Sequence, residues 1–234
     1  MLISTPLTKK KISDHLTYHG WKYVLILVAS IFGWNLIYTQ TAYRVPQDKR
    51  IDVYIKSATT TQEVCDAFLE PIWKETVPEM ELVSSALISA ANDYTSTMQM
   101  TVWIAAGDGD IFILPSADFK NYASNGAFAP LQKYVDDGTL QVDGVDLSAG
   151  RVSVATGQDE NGNAVYDDEL QLYGIPLYTY YGYMDGMSLD NRGMVMCVLA
   201  ANRNDANVLP FMGALLRAGE GEPPSWLFEN GAGE

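Results

Sequence analysis

Polar side chains that could hold a small ligand fall in three short segments. Ser57 and Thr59 close the run IDVYIKSAT, Ser116 and Asp118 follow the apolar run IFILP, and Tyr178, Tyr180, Tyr181 and Tyr183 crowd into YTYYGY. Hydroxyls and a carboxylate placed just beyond strands can hydrogen-bond a hydroxyl-rich solute, and tyrosine rings add flat apolar faces with a polar tip. The chemistry such residues support is capture rather than bond breaking. The same serines, Thr59 and Asp118 are also the residue types that cap helix N-termini, and tyrosines alternating along a half-exposed strand are an ordinary packing arrangement.

Catalysis has little to draw on. The only histidines, His15 and His19, precede an apolar stretch, so the rest of the chain has no imidazole for general-base or metal work. Cys65 and Cys197 stand far apart without a CxxC pair, which leaves a disulfide or two buried thiols as the options. Asp159, Asn161, Asn163 and Asp167 begin like a calcium loop, but Ala164 stands where glycine is needed and Leu170 where the bidentate glutamate belongs, so a polar hairpin turn is expected. GDGD at 107–110 lacks the spacing of a phosphate loop and reads as a helix stop followed by a turn. No enzyme activity, cofactor or metal is expected.

Charge narrows the partners. The chain carries a formal net charge of -14, unevenly distributed: up to Ala42 there are four lysines and one aspartate, whereas everything beyond sums to -17. A body that acidic repels phosphate backbones and anionic lipid, which excludes nucleic acid as a partner. With 47% hydrophobic residues the chain nevertheless has enough apolar side chain to bury a core.

The elements that must position the candidate residues begin after an anchor. Trp21–Tyr38 reads WKYVLILVASIFGWNLIY, about 27 Å if helical and close to a bilayer's hydrocarbon thickness. Lys9, Lys10, Lys11 and Lys22 lie near its start, and Trp21, Tyr23, Trp34 and Tyr38 sit near its ends, a pattern that predicts a cytoplasmic N-terminus. A cleavable signal is the competing reading, but the A-x-A site is missing, and no cysteine follows for lipid attachment. The expected organisation is a basic cytoplasmic segment over 1–20, a transmembrane anchor or uncleaved signal over 21–40, a linker over 41–50, an α/β domain over 51–220 and a tail over 221–234.

Within the body, alternation in IDVYIKS predicts a strand and Gln62–Thr76 a helix that Pro71 should kink or end. Met80–Leu87 reads as a second strand, then a helix capped by Asn92 or Asp93 runs to Ala106. Ile111–Leu114 is an unbroken apolar run, as expected for a central strand covered on both faces. A helix near Asp118–Ala123 and a short one opened by Pro130 follow. Residues 151–178 read as two or three strands with a turn at Asn161-Gly162, a hairpin on the sheet's flank. Gly193–Ala200 supplies a last strand, and Asp205–Ala218 a helix interrupted by Pro210. Strand, helix, strand, helix, strand implies a mostly parallel sheet with crossovers.

The segment AAGDGDIFILPSADFKNYASNGAFAPLQKYVDDG (105–138), together with YGIPL at Tyr173–Leu177, resembles the extracellular solute-binding proteins of ABC importers, in their sugar-binding, maltose-binding-protein-like group. IDVYIKS stands where that family's first strand falls, and GMVMCVLAANRNDANVLPFMGALL resembles its recurring strand, turn and Ala-rich helix. The resemblance implies a periplasmic-binding-protein-like single lobe, because here YGIPL is followed almost at once by the closing strand and helix. It further implies a small polar solute, a sugar among them, and an ABC permease or other membrane protein as partner. Because an open α/β sheet places ligands beyond the carboxyl ends of its strands, the expected ligand residues are Ser57, Thr59, Ser116 and Asp118, with the rings of Tyr178, Tyr180 and Tyr181 as stacking surfaces.

Overall fold

The N-terminal apolar stretch forms part of one helix, α1 (Lys9–Thr41), which starts twelve residues before Trp21. Several of its hydroxyls bond back within the helix: Ser30 donates to the Ile26 carbonyl and Thr41 to that of Ile37, each at 2.7 Å. That back-bonding lets polar side chains sit in apolar surroundings. His15–Thr41, with mean hydropathy 1.5, is long and apolar enough to cross a membrane. The computed structural model describes residues 8–90, 93–160, 163–202 and 204–224, in two units that divide between Arg44 and Val45. Asn92, the Asn161-Gly162 turn and Trp226 lie outside the described residues.

The second unit is built on β1 (Arg50–Ser57), whose alternation decides what covers each side of the sheet. Ile51, Val53 and Ile55 face one layer and Asp52, Tyr54 and Lys56 the other, all buried. The chain continues through α2 (Gln62–Thr76), β2 (Leu82–Ser89), α3 (Asp93–Ala106) and β3 (Ile111–Pro115). β1 pairs in parallel with both β2 and β3, so α2 and α3 are crossovers, one in each layer. β3 is the middle strand of five, as its unbroken apolar run requires. Phe112 on β3 is fully buried, a side chain whose transfer from water contributes about 2–3 kcal/mol.

Beyond β3 come α4 (Ser116–Ser124), α5 (Gln132–Asp136), β4 (Arg151–Val152), β5 (Ala155–Gln158), β6 (Ala164–Tyr166), β7 (Gln171–Leu172) and β8 (Gly174–Pro176). They lead into α6 (Gly182–Met187), β9 (Met194–Val198) and α7 (Asp205–Gly219). The five-stranded sheet has the order β2-β1-β3-β9-β8, with β9 antiparallel to both its neighbours, so four strands share one direction. The result is an α/β sheet, mostly parallel, with helices on both faces.

Three local expectations need correction. The hairpin β5–β6 does not join the main sheet but forms its own two-stranded ladder, as do β4 and β7; among the described residues of this region only β8 pairs with the main sheet. Pro71 does not end α2, and Pro210 does not interrupt α7. Both prolines stand at exposed positions, as do Ala67 and Ala206, whose carbonyls lose a donor, so the missing hydrogen bonds fall on the solvent side of each helix, where they cost least. Finally, YTYYGY is a turn leading into α6 rather than a strand, because the Asn191 amide donates to the carbonyls of Leu177 (2.6 Å) and Tyr180 (3.0 Å) and bends the segment.

The cysteines are settled by the sheet. Cys65 lies in the α2 layer and Cys197 in the α3 and α4 layer, so the strands separate them, and both are buried free thiols.

Candidate functional site

Topology brings every candidate segment to one rim. Because β8 and β3 both run antiparallel to β9, the chain leaves β1, β3 and β8 at the same end of the sheet. Ser57–Thr59, Ser116–Asp118 and Tyr178–Tyr181 therefore project from that carboxyl rim, and Asp190–Gly193 enters β9 there. This is where open α/β sheets place their ligands.

The Ser57 hydroxyl accepts the Thr59 backbone N–H at 3.1 Å and lies 3.2 Å from its hydroxyl, closing a local turn at the strand exit. Thr59 is exposed and lines a shallow hollow of about 220 Å³ with Met184, Leu189, Asp190 and Arg192. Ser116 opens α4 and its N–H donates to the Gly193 carbonyl at 2.8 Å, so it fastens the β3 exit to the β9 entry. Asp118, in the first turn of α4, sits 2.8 Å from the Lys56 ammonium, whose side chain is 5% exposed. A buried ammonium without a counter-charge costs several kcal/mol, so Asp118 balances Lys56 as well as facing the rim.

The tyrosines divide. Tyr178 accepts the Asp146 backbone N–H at 2.8 Å and is partly exposed. Tyr180 is buried, and burial followed by the nearby Glu220 and Asp143 carboxylates pushes its phenol up to about 12, so it stays neutral near pH 7. It lines a second hollow of about 240 Å³ with Gln141, Asp143, Thr179 and Glu220. Tyr181 precedes α6 and is half-buried. Thr59 and Tyr180 thus share a rim but line separate hollows.

A cluster at the opposite, amino end of the sheet escaped the sequence reading. Arg50 pairs with Asp52 at 2.5 Å and with Asp108 at 3.5 Å, while Asp110 accepts the Asp52 backbone N–H at 2.8 Å. Burial, helped by the Asp52 and Asp108 charges, pushes the Asp110 carboxyl up to about 6, against the opposing pull of Asp52's N–H and Arg50. These groups line a polar hollow of about 230 Å³. One signal was available: Asp52 and Lys56 alternate with Ile51, Val53 and Ile55, which already places both charges on one face of β1. Among the described residues no group of three or more His, Cys, Asp or Glu side chains is arranged to hold a metal ion. The Asp159 loop is closed by its own bonds, with Asp159 accepting the Asn163 N–H at 2.8 Å.

Fold and rim together define an α/β lobe whose mostly parallel sheet carries the candidate residues at its carboxyl end. No family model matches the chain, and neither does any curated protein. Among solved structures it is similar to an extracellular solute-binding protein family 1 member from Alicyclobacillus acidocaldarius, at 14% identity and TM-score 0.38 over 58% of this chain and 28% of that one. A second is an ABC substrate-binding protein from Listeria monocytogenes in complex with cycloalternan, at 21% identity and TM-score 0.36 over 53% and 28%. A third is PBP AttC from Agrobacterium tumefaciens in an open unliganded conformation, at 12% identity and TM-score 0.40 over 73% and 80%. The chain spans little more than a quarter of the length of the first two. These likenesses concern the fold alone and say nothing of what this chain binds.

Proposed function

We propose that the chain is a membrane-tethered, extracytoplasmic solute-binding-like protein whose carboxyl rim receives a small polar solute of the sugar type. The observation that carries this reading is the convergence of Ser57, Thr59, Ser116, Asp118 and the Tyr178–Tyr181 segment from three strands at one end of the sheet. Hydroxyl donors, a carboxylate and aromatic faces are what a hydroxylated ring needs. The motif resemblance of 105–138 supports the class of ligand, and the apolar α1 with its lysine-rich start supports tethering with the N-terminus in the cytoplasm. An ABC permease is the partner this reading implies. The role is binding, and no reaction is assigned.

A second reading is an accessory domain that keeps the fold and meets a membrane protein through the tyrosine segment. It is favoured by the internal bonding of Ser57 with Thr59 and of Asp118 with Lys56, which reduces what is left to hold a solute. Thermal unfolding of the full chain in detergent micelles separates the two. A ligand selective for the folded state raises the melting temperature by mass action, so millimolar mono- and oligosaccharides should shift it if the rim binds them. Unchanged melting with every sugar, alongside co-purification of a membrane protein that Tyr181→Ala abolishes, would favour the accessory reading.

A further inference from the structure

We propose that His15 and His19 form a site for a divalent transition metal ion, of the Zn²⁺ or Cu²⁺ kind, at the N-terminal end of the candidate span of α1, ahead of Trp21. The two residues are one turn apart in a continuous helix, so their side chains lie on the same face. Their rings stand edge to face with centroids 4.8 Å apart, and the His15 Nε2 is 2.8 Å from the Tyr23 hydroxyl, two turns along the same stripe. Two nitrogens each about 2.0–2.1 Å from one tetrahedral ion must come within about 3.3 Å of each other. Histidines at i and i+4 of one helix can meet that requirement, as they do in helical zinc motifs.

Chemistry and orientation agree with the geometry. Neutral imidazole is the common protein ligand for Zn²⁺ and Cu²⁺, and two histidines at i and i+4 on one helix face are a recurrent way to present it. With the proton of His15 on Nε2 and donated to the Tyr23 oxygen, Nδ1 keeps its lone pair for a metal ion. A hydrogen bond to the other ring nitrogen is how ligating histidines are held in one tautomer. Two protein ligands leave two tetrahedral positions open, so an ion here would also accept a donor from water or another molecule. The inference is independent of the solute-binding rim, which lies in the other unit of the chain.

Isothermal titration of the full chain in detergent micelles with Zn²⁺ alone, near pH 7.5, tests it. A saturable site of about one ion per chain is expected. His15→Ala or His19→Ala should each weaken it by well over tenfold, and Tyr23→Phe by about tenfold, the range seen when an outer hydrogen-bond partner of a ligand is removed. Alanine is the best helix former, so helicity by circular dichroism should not fall in the histidine variants. With Cu²⁺, electron paramagnetic resonance should show nitrogen coupling that vanishes in the double alanine variant. Undiminished Zn²⁺ binding by that variant would move the ion to the acidic body and overturn the proposal, as would absence of binding by the parent chain or a Cu²⁺ spectrum without nitrogen coupling.

Discussion

Lys56 and Asp118 stand 2.8 Å apart, joining the end of β1 to the first turn of α4 across a layer boundary where Lys56 is almost wholly buried. The pair explains how a lysine is tolerated in a strand otherwise covered by apolar side chains. Asp118→Ala removes the carboxylate and leaves the ammonium in place. Loss of about 3 kcal/mol is expected, at the low end for a broken buried pair because Asp118 is partly open to solvent. Lys56→Met removes the charge itself and should cost less. Chemical denaturation of both variants measures this, and equal losses would argue against an ion pair as the source.

Asp110 gives the fold a pH dependence with a definite sign. Its carboxyl is pushed up to about 6 in the folded chain, against about 3.9 when unfolded, so the folded state holds the proton more tightly. Its stabilising contribution is therefore complete below about pH 4 and is lost as pH rises through about 6. Asp110→Asn keeps an oxygen to accept the Asp52 N–H. Near pH 7.5 it should be more stable than the parent by on the order of 2 kcal/mol, with the gap closing toward pH 4. Parallel stability curves for the two proteins between those limits would sink the assignment.

Gly109 is fixed by two independent demands. Its φ of +94° is a backbone conformation that side chains resist, and a Cβ there would come 2.2 Å from the Tyr54 ring. Gly109→Ala should cost roughly 3 kcal/mol from strain and overpacking together. The Tyr54 ring, stacked on Phe112 at 5.1 Å between centroids, should report the shift in near-ultraviolet circular dichroism. A variant of parent stability would show that the loop relaxes freely.

Asn191 holds the tyrosine segment in its turn through two amide hydrogen bonds. Asn191→Ala should lose about 2 kcal/mol, near 1 for each bond, and broaden the aromatic signals of Tyr180 and Tyr181. Asn191→Asp should not restore them, since a carboxylate has no N–H to donate. Full recovery by aspartate would point to a role for the side-chain oxygen instead.

Much of the framework was legible beforehand, and for local reasons. The bounds of α2 follow from helical patterning over Gln62–Thr76, and the central place of β3 follows from Ile111–Leu114 being apolar at both phases of the strand repeat. Pro71 and Pro210 misled because a proline's cost depends on whether the carbonyl it orphans meets water, and that is set by which helix face packs. The tyrosines misled because the alternation in YTYYGY is also compatible with a turn, and the residue that bends it, Asn191, lies eleven positions beyond Tyr180.

By itself the sequence determined where strands and helices alternate, which residues are apolar on both faces, and that a long apolar helix precedes an acidic body. Those properties rest on neighbours within a few residues. Tertiary structure alone decided that Lys56 meets Asp118, that Arg50, Asp52, Asp108 and Asp110 share one hollow, and that the three candidate segments meet at one rim. Each of those depends on the strand order β2-β1-β3-β9-β8, in which β3 and β9, distant in sequence, lie side by side, and no local pattern encodes which strands pair. The cost of a buried charge then selects the partner once packing has brought the candidates within reach.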